Sequence, residues 1–244
     1  MFTEKYRASV QAQLVRHARN DARVTAAALV GSSAEGGDRW SDLDLTLSVA
    51  EDAAVDAVLG DWTQMVIADL DGDVLFDLPY RSTIYRVFLL PGLLQVDLSF
   101  TPAPDFGPRG PRFRLLFGMA REGAEVGPAP LEEGFGLAVH HAVRALLCVE
   151  RGRLWQSEYW LHSLRDETLS LSCRRRGIPS VHGRGYDALP TDLLSAFEQT
   201  LCSHPNASEL RRALAKTTRL LLEEADGLKA LTPRLRRQLE GLTT

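Results

Sequence analysis

The stretch GSSAEGGDRWSDLDLTLSV, residues 31 to 49, restricts the fold more than any other part of the chain. The apolar run VTAAALVG before it is a buried strand that stops at Gly31, and LDLTLSV alternates apolar and polar residues with period two. Two strands joined by a loop rich in glycine and serine exclude a helix here and require a sheet. On a strand, side chains two apart leave the same face, so Asp42 and Asp44 stand side by side and repel unless something neutralises them. Gly31, Ser32 and Ser33 lie just before the pair. Glycine lets the backbone approach closely, and serine hydroxyls with backbone N–H groups suit an anionic phosphate. A third carboxylate, Asp97 in QVDLSF, sits inside an apolar strand, where an unpaired charge is expensive. A few carboxylates together with substrate phosphates are the ligands that a hard divalent ion such as magnesium takes.

Around this stretch the texture of the chain changes once. Residues 4 to 20 carry a helical pattern, and a further helix fits residues 51 to 68. STIYRVFLL and LLQVDLSF are strands of a hairpin turning at Pro91 and Gly92. TPAPDFGPRGP is too dense in proline and glycine for a helix and reads as linker or surface loop, with EGAEVGPAPLEEG as a second break. Helix patterns then cover residues 133 to 151, 154 to 175, 189 to 202, 206 to 228 and 233 to 241. The expected architecture is α+β: a small mixed sheet domain over residues 1 to 105, linker and loops over 106 to 132, and a helical bundle over 133 to 244.

Charge and cysteine content narrow the function classes. With 244 residues, 45 % of them hydrophobic, the chain has material for one large core or two small ones. A formal net charge of −4 argues against general nucleic-acid affinity, which a basic stripe would announce. Cys148, Cys173 and Cys202 are far apart and odd in number, so no disulfide framework is expected and a reducing cytoplasm is the expected setting. Glu4, Lys5 and Arg7 interrupt any leader-like apolar run, and no uncharged segment approaches the roughly 18 residues of a membrane span.

GSSAEGGDRWSDLDL resembles the signature of the nucleotidyltransferase superfamily related to DNA polymerase beta: Gly-Ser, a variable loop, Ser-Asp-hydrophobic-Asp, and a later strand aspartate. Gly31, Ser32, Ala34, Gly36, Ser41, Asp42, Leu43 and Asp44 carry the match, with Asp97 in the third place. Many minimal members have arginine where this chain has Glu35. VERGRLWQSEYWLHSLRD is more loosely similar to the C-terminal segment of bacterial antibiotic-modifying members. The resemblance implies two magnesium ions on Asp42, Asp44 and Asp97, with a nucleoside triphosphate, expected to be ATP, as substrate. Gly31 and Ser32, with Ser33 and Ser41 as further candidates, would hold its phosphates. An acceptor hydroxyl would attack the α-phosphorus and expel pyrophosphate.

The helical part is then expected to supply the acceptor side. Glu158, His162 and Arg165 form one polar stripe, overlapped by Trp155 and Tyr159. Glu158 is the candidate general base, Arg165 the candidate phosphate contact, and Trp155 with Tyr159 the candidate wall for a small-molecule acceptor of aminoglycoside or lincosamide type. The ordinary alternatives are a solvated face for Glu158 and Arg165 and core packing for the aromatics. His140 and His141, adjacent on a helix, point about 100 degrees apart and read as structural. Pro179 breaks the helix that a ribonuclease reading of Arg176 and His182 would need. The alternative function class is an antitoxin-like or protein-modifying interaction protein that retains the same aspartates.

Overall fold

In the computed structural model, which describes residues 1–110, 112–123 and 129–242, the alternating segment LDLTLSV lies at the middle of a mixed sheet. The chain divides into two units, Met1–Gly127 and Pro128–Thr244. In the first, helix α1 (Glu4–Asn20) leads into β1 (Val24–Val30), a single helical turn α2 (Gly31–Ala34) and β2 (Leu43–Val49). Helix α3 (Val55–Leu70) follows, then β3 (Asp73–Tyr80), β4 (Thr83–Leu90), β5 (Leu94–Pro102) and β6 (Phe113–Phe117). The six strands run in the order β3-β4-β5-β2-β1-β6. Only β2 and β5 pair in parallel; the other neighbours are antiparallel.

The apolar stripe of α1, Val10, Leu14 and Ala18, and that of α3, Val58, Trp62, Val66 and Leu70, share one core with Leu43, Leu45, Leu47, Val96, Leu98 and Phe100 of the central strands. Trp62 is fully buried, edge-on to Phe100, and its indole N–H donates to Asp21 at 3.0 Å, so this large side chain leaves no polar atom unsatisfied. Burial of these strands on α1 and α3 is the main force holding the sheet's register, because a slip of one residue would turn the whole apolar set outward.

Two strands were not expected. β6 falls in the segment read as linker, and β3 in a segment given no element. FRLLF is only five residues long between proline and glycine runs, and its ladder partner β1 supplies the order. All eight residues of β3 are exposed, so this edge strand has no buried face to impress a period-two pattern on its sequence.

The second unit is helical among its described residues: α4 (Leu131–Glu150), α5 (Leu154–Arg175), α6 (Thr191–Glu198), α7 (Ala207–Glu224) and α8 (Pro233–Glu240). α4 and α5 form a helical hairpin turning through Gly152, pinned where the Ser157 hydroxyl donates to the Ala145 carbonyl at 2.9 Å. Phe135, Ala138, Ala142, Leu161, Leu164, Leu171, Leu210, Leu214 and Leu221 form its core. α5 ends before Pro179, and Arg176 beyond it makes a bidentate pair with the buried Glu224 at 2.8 and 2.9 Å, fastening the end of α5 to the end of α7. α6 and α7 are shorter than their sequence patterns. No helix among the described residues is long and apolar enough to cross a membrane.

Gly118 marks where β6 leaves β1: its φ is +79°, and a Cβ there would lie 2.2 Å from the Thr25 carbonyl oxygen. Gly118→Ala is expected to cost about 1–3 kcal/mol by overpacking. Urea denaturation checks this, with Gly136→Ala in α4, where a Cβ meets nothing within 4 Å, as the control that does not destabilise.

Candidate metal and phosphate site

The parallel register of β2 and β5 sets Asp44 beside Asp97 as direct partners, and Asp42 precedes Asp44 on the same face. One carboxylate oxygen from each of the three lies within 4.8 Å of the others. All three side chains are half-buried, so their mutual repulsion is only partly screened by water. Burial pushes the Asp97 carboxyl above its ordinary 3.8, the charge of Asp42 adds to the effect, and the Gln95 side-chain amide, donating to Oδ1 at 3.0 Å, opposes it. An all-oxygen set of this kind suits magnesium or another hard divalent cation, whose charge would relieve the repulsion.

The backbone in front of the cluster is built to approach it. Gly31 opens α2 with φ +59°, and a Cβ there would fall 2.6 Å from Asp44 Oδ2. Only glycine combines that backbone angle with that proximity. Ser32 donates weakly to Asp42 Oδ1 at 3.4 Å and stays half-buried at the site. Ser33 is buried, and its Oγ donates to the Asp42 carbonyl at 3.1 Å while accepting from the Asp44 amide at 3.3 Å. It braces the entry to β2 and is not turned outward. Ser41 does the same for the loop, exchanging hydrogen bonds with the Asp38 amide at 2.9 Å and the Asp38 carboxylate at 3.1 Å.

Arg7, outside the expected set, is also part of the site. Its guanidinium, 9 % exposed, reaches from α1 to the Ser41 carbonyl at 2.8 Å, the Asp42 carbonyl at 3.1 Å and Ser33 Oγ at 3.3 Å. A buried cation thus fixes the backbone that carries the first two aspartates. Its signal was available: Arg7 stands on the Val10, Leu14, Ala18 stripe, where a charged residue needs a partner from elsewhere. Gln95, two residues before Asp97 on its face, was missed as well. Glu35 pairs with Arg112 at 3.3 Å, so the loop that has an acidic residue in place of arginine meets an arginine from the segment leading into β6.

The remaining expected site residues all belong to α5 of the second unit. Trp155 and Tyr159 are 77 % and 63 % exposed, outside the core, and form an aromatic face. Glu158 is half-buried with Oε2 enclosed and without a hydrogen-bond partner among the described residues. Arg165 is a correction. Its guanidinium is buried and donates to Thr200 Oγ1 at 2.8 Å and to the Thr200 carbonyl at 2.7 Å, so it ties α5 to the end of α6 and is not displayed to a phosphate. The stripe that it shares with Glu158 is partly buried on its own unit, and its hydrogen bonds to Thr200 offset the cost of burying the charge.

No family model matches this sequence, and no curated protein matches it. Among solved structures the chain is similar to an aminoglycoside 6-adenyltransferase from Bacillus subtilis, with 12 % identity over 94 % of this chain and 95 % of that one, at a TM-score of 0.40. It is also similar to a nucleotidyltransferase-like protein from Exiguobacterium sibiricum 255-15, with 13 % identity over 95 % and 80 % of the two chains, at a TM-score of 0.40.

A carboxyl held above its ordinary value opposes folding when ionised: its contribution is most favourable below about 3.8 and is lost as pH rises through the folded-state value. Asp97→Asn is therefore expected to raise the Tm of the metal-free protein at neutral pH, with a gain that shrinks toward pH 4. Magnesium is expected to stabilise the native sequence by about 2.7 kcal/mol at a hundredfold excess over its dissociation constant, and the variant much less. Thermal unfolding in EDTA and in magnesium, across pH, checks both.

Proposed function

We propose that this chain is a magnesium-dependent nucleotidyltransferase that moves a nucleoside monophosphate, AMP from ATP, to a hydroxyl of a small-molecule acceptor. The observation that carries the reading is the convergence of Asp42, Asp44 and Asp97 within 4.8 Å, immediately behind the Gly31 turn. Asp42, Asp44 and Asp97 would hold magnesium, which when bound neutralises the triphosphate and lowers the pKa of an acceptor hydroxyl. Gly31 and Ser32 would receive the β- and γ-phosphates. Ser33, Ser41 and Arg7 serve as positioning residues that keep the carboxylates of Asp42 and Asp44, at the start of β2, in place. Gln95 orients Asp97.

For the acceptor, the exposed rings of Trp155 and Tyr159, with the half-buried carboxylate of Glu158 on the same helix, favour a hydroxyl-rich, cationic compound. An aminoglycoside-like or lincosamide-like antibiotic has this chemistry, in line with the resemblance of the sequence to antibiotic-modifying members. Glu158 is proposed as base or cation anchor on that side.

The test is pyrophosphate release with each nucleoside triphosphate, magnesium and a panel of hydroxyl-bearing acceptors. Asp44→Asn is expected to lower kcat by roughly a hundredfold or more, since it removes charge stabilisation that the reaction requires. An Asp44→Asn protein as active as the native one removes the reading. Glu158→Gln keeps size and hydrogen bonding while deleting the charge, and is expected to lower turnover with the accepted substrate. Unchanged turnover leaves Glu158 no part in the reaction.

A further inference from the structure

A second polar cavity lies in the first unit, at the far end of β4 and β5 from the carboxylates. It has a volume of about 500 Å³ and is lined by Tyr80, Arg81, Ser82, Asp105, Arg109 and Arg121, with Pro108. Thr101 on β5, which meets Thr83 beside this cavity through a 2.8 Å hydroxyl contact, is four residues beyond Asp97, or roughly 13 Å along the strand. The two sites are therefore separate.

Three arginines line this cavity. Among the described residues none of them has a carboxylate within ion-pair distance, although surface arginines elsewhere in the chain, such as Arg23, Arg86 and Arg211, do. The lone acidic side chain of the lining, Asp105, is engaged by Ser82, whose hydroxyl donates to it at 2.6 Å. Arg109 is held in place: it donates to the Tyr85 hydroxyl at 2.9 Å and to Thr83 Oγ1 at 2.5 Å, and its charge lies 5.2 Å from the centre of the Tyr80 ring. Arg81 sits over the same ring at 5.4 Å. It occupies the first position of a two-residue hairpin turn with φ +56°, a place where most sequences put glycine or asparagine. Three arginines against one carboxylate, around a cavity larger than one phosphate, leave two positive charges unmatched and describe a receptor for a multiply charged anion. A ligand with a single carboxylate would leave half of that excess unmatched. The tetrahedral oxygens of phosphate accept from several guanidinium forks together.

We propose that Arg81, Arg109 and Arg121 form a second, metal-independent binding site for a diphosphate group, free or carried by a small soluble molecule. The site does not depend on the nucleotidyl-transfer reading, because its residues are all outside the carboxylate cluster.

The test is isothermal titration of the full chain with inorganic pyrophosphate in EDTA, so that no metal can recruit the anion to the aspartates. Saturable binding is expected, tighter than that of inorganic phosphate and weakening with added salt. Arg109→Ala and Arg121→Ala are each expected to weaken it roughly tenfold or more. Arg81→Gly is expected to weaken it too while leaving Tm unchanged or raised, since glycine takes the turn angle without strain; a merely structural arginine would not separate the two readouts. Asp44→Asn is expected to bind pyrophosphate in EDTA as the native chain does. ADP binding more tightly than pyrophosphate assigns the diphosphate to an organic carrier, and equal binding assigns it to the free anion. The proposal is overturned by absence of saturable binding at millimolar pyrophosphate, or by binding that survives all three arginine variants.

Discussion

The parallel pairing of β2 with β5 is the constraint on which the site rests. Its register makes Asp44 and Asp97 neighbours on adjacent strands and so adds the third carboxylate to the pair that Asp42 and Asp44 already form. Left alone, such a pair would push its strands apart. The opposing force is apolar: Leu43, Leu45 and Leu47 alternate with the polar positions of β2, and Val96, Leu98 and Phe100 do the same on β5, all buried beneath α1 and α3. The fold thus uses burial on one face to keep like charges together on the other, storing electrostatic free energy that a bound cation would release.

Arg7 complements this arrangement from behind. It donates to carbonyl oxygens and a hydroxyl, and so fixes the backbone that bears the aspartates. A salt bridge to Asp42 would have stabilised the metal-free protein at the expense of a ligand. The backbone contact avoids that competition and still satisfies a buried cation.

How much of this was legible in the sequence depended on whether a residue's role repeats with a period. β1, β2, β4, β5 and the helices of the second unit announced themselves because each has a buried face. β3, exposed on both faces, and β6, five residues among proline and glycine, have no such record. Within the site, the three aspartates and Gly31 were visible from spacing and from a charge in an apolar strand. Arg7 was marked only as a charge on the apolar stripe of α1, with its partners across the fold, and Gln95 acts along one strand with no local pattern to set it apart from an ordinary polar residue. Arg165 shows the converse error: the helical stripe did place it on the side of Glu158, but that side is the one α5 partly buries, with Glu158 Oε2 enclosed and the Arg165 guanidinium held by Thr200.

The exposed β3 has a consequence for how this protein behaves among its own copies. A free strand edge bearing Val74, Leu75, Phe76, Leu78 and Tyr80 is a template on which another chain can add backbone hydrogen bonds. In a two-residue hairpin the closing pair, here Tyr80 with Thr83, is the hydrogen-bonded one, so the next residue, Pro79, occupies a position whose amide would face outward. Proline has no such amide to offer, and Asp77, clasped by Arg86 at 2.6 Å, sets a charged pair midway along the same edge. The strand can remain apolar and uncovered because its outer ladder is interrupted where a second chain would begin to zip.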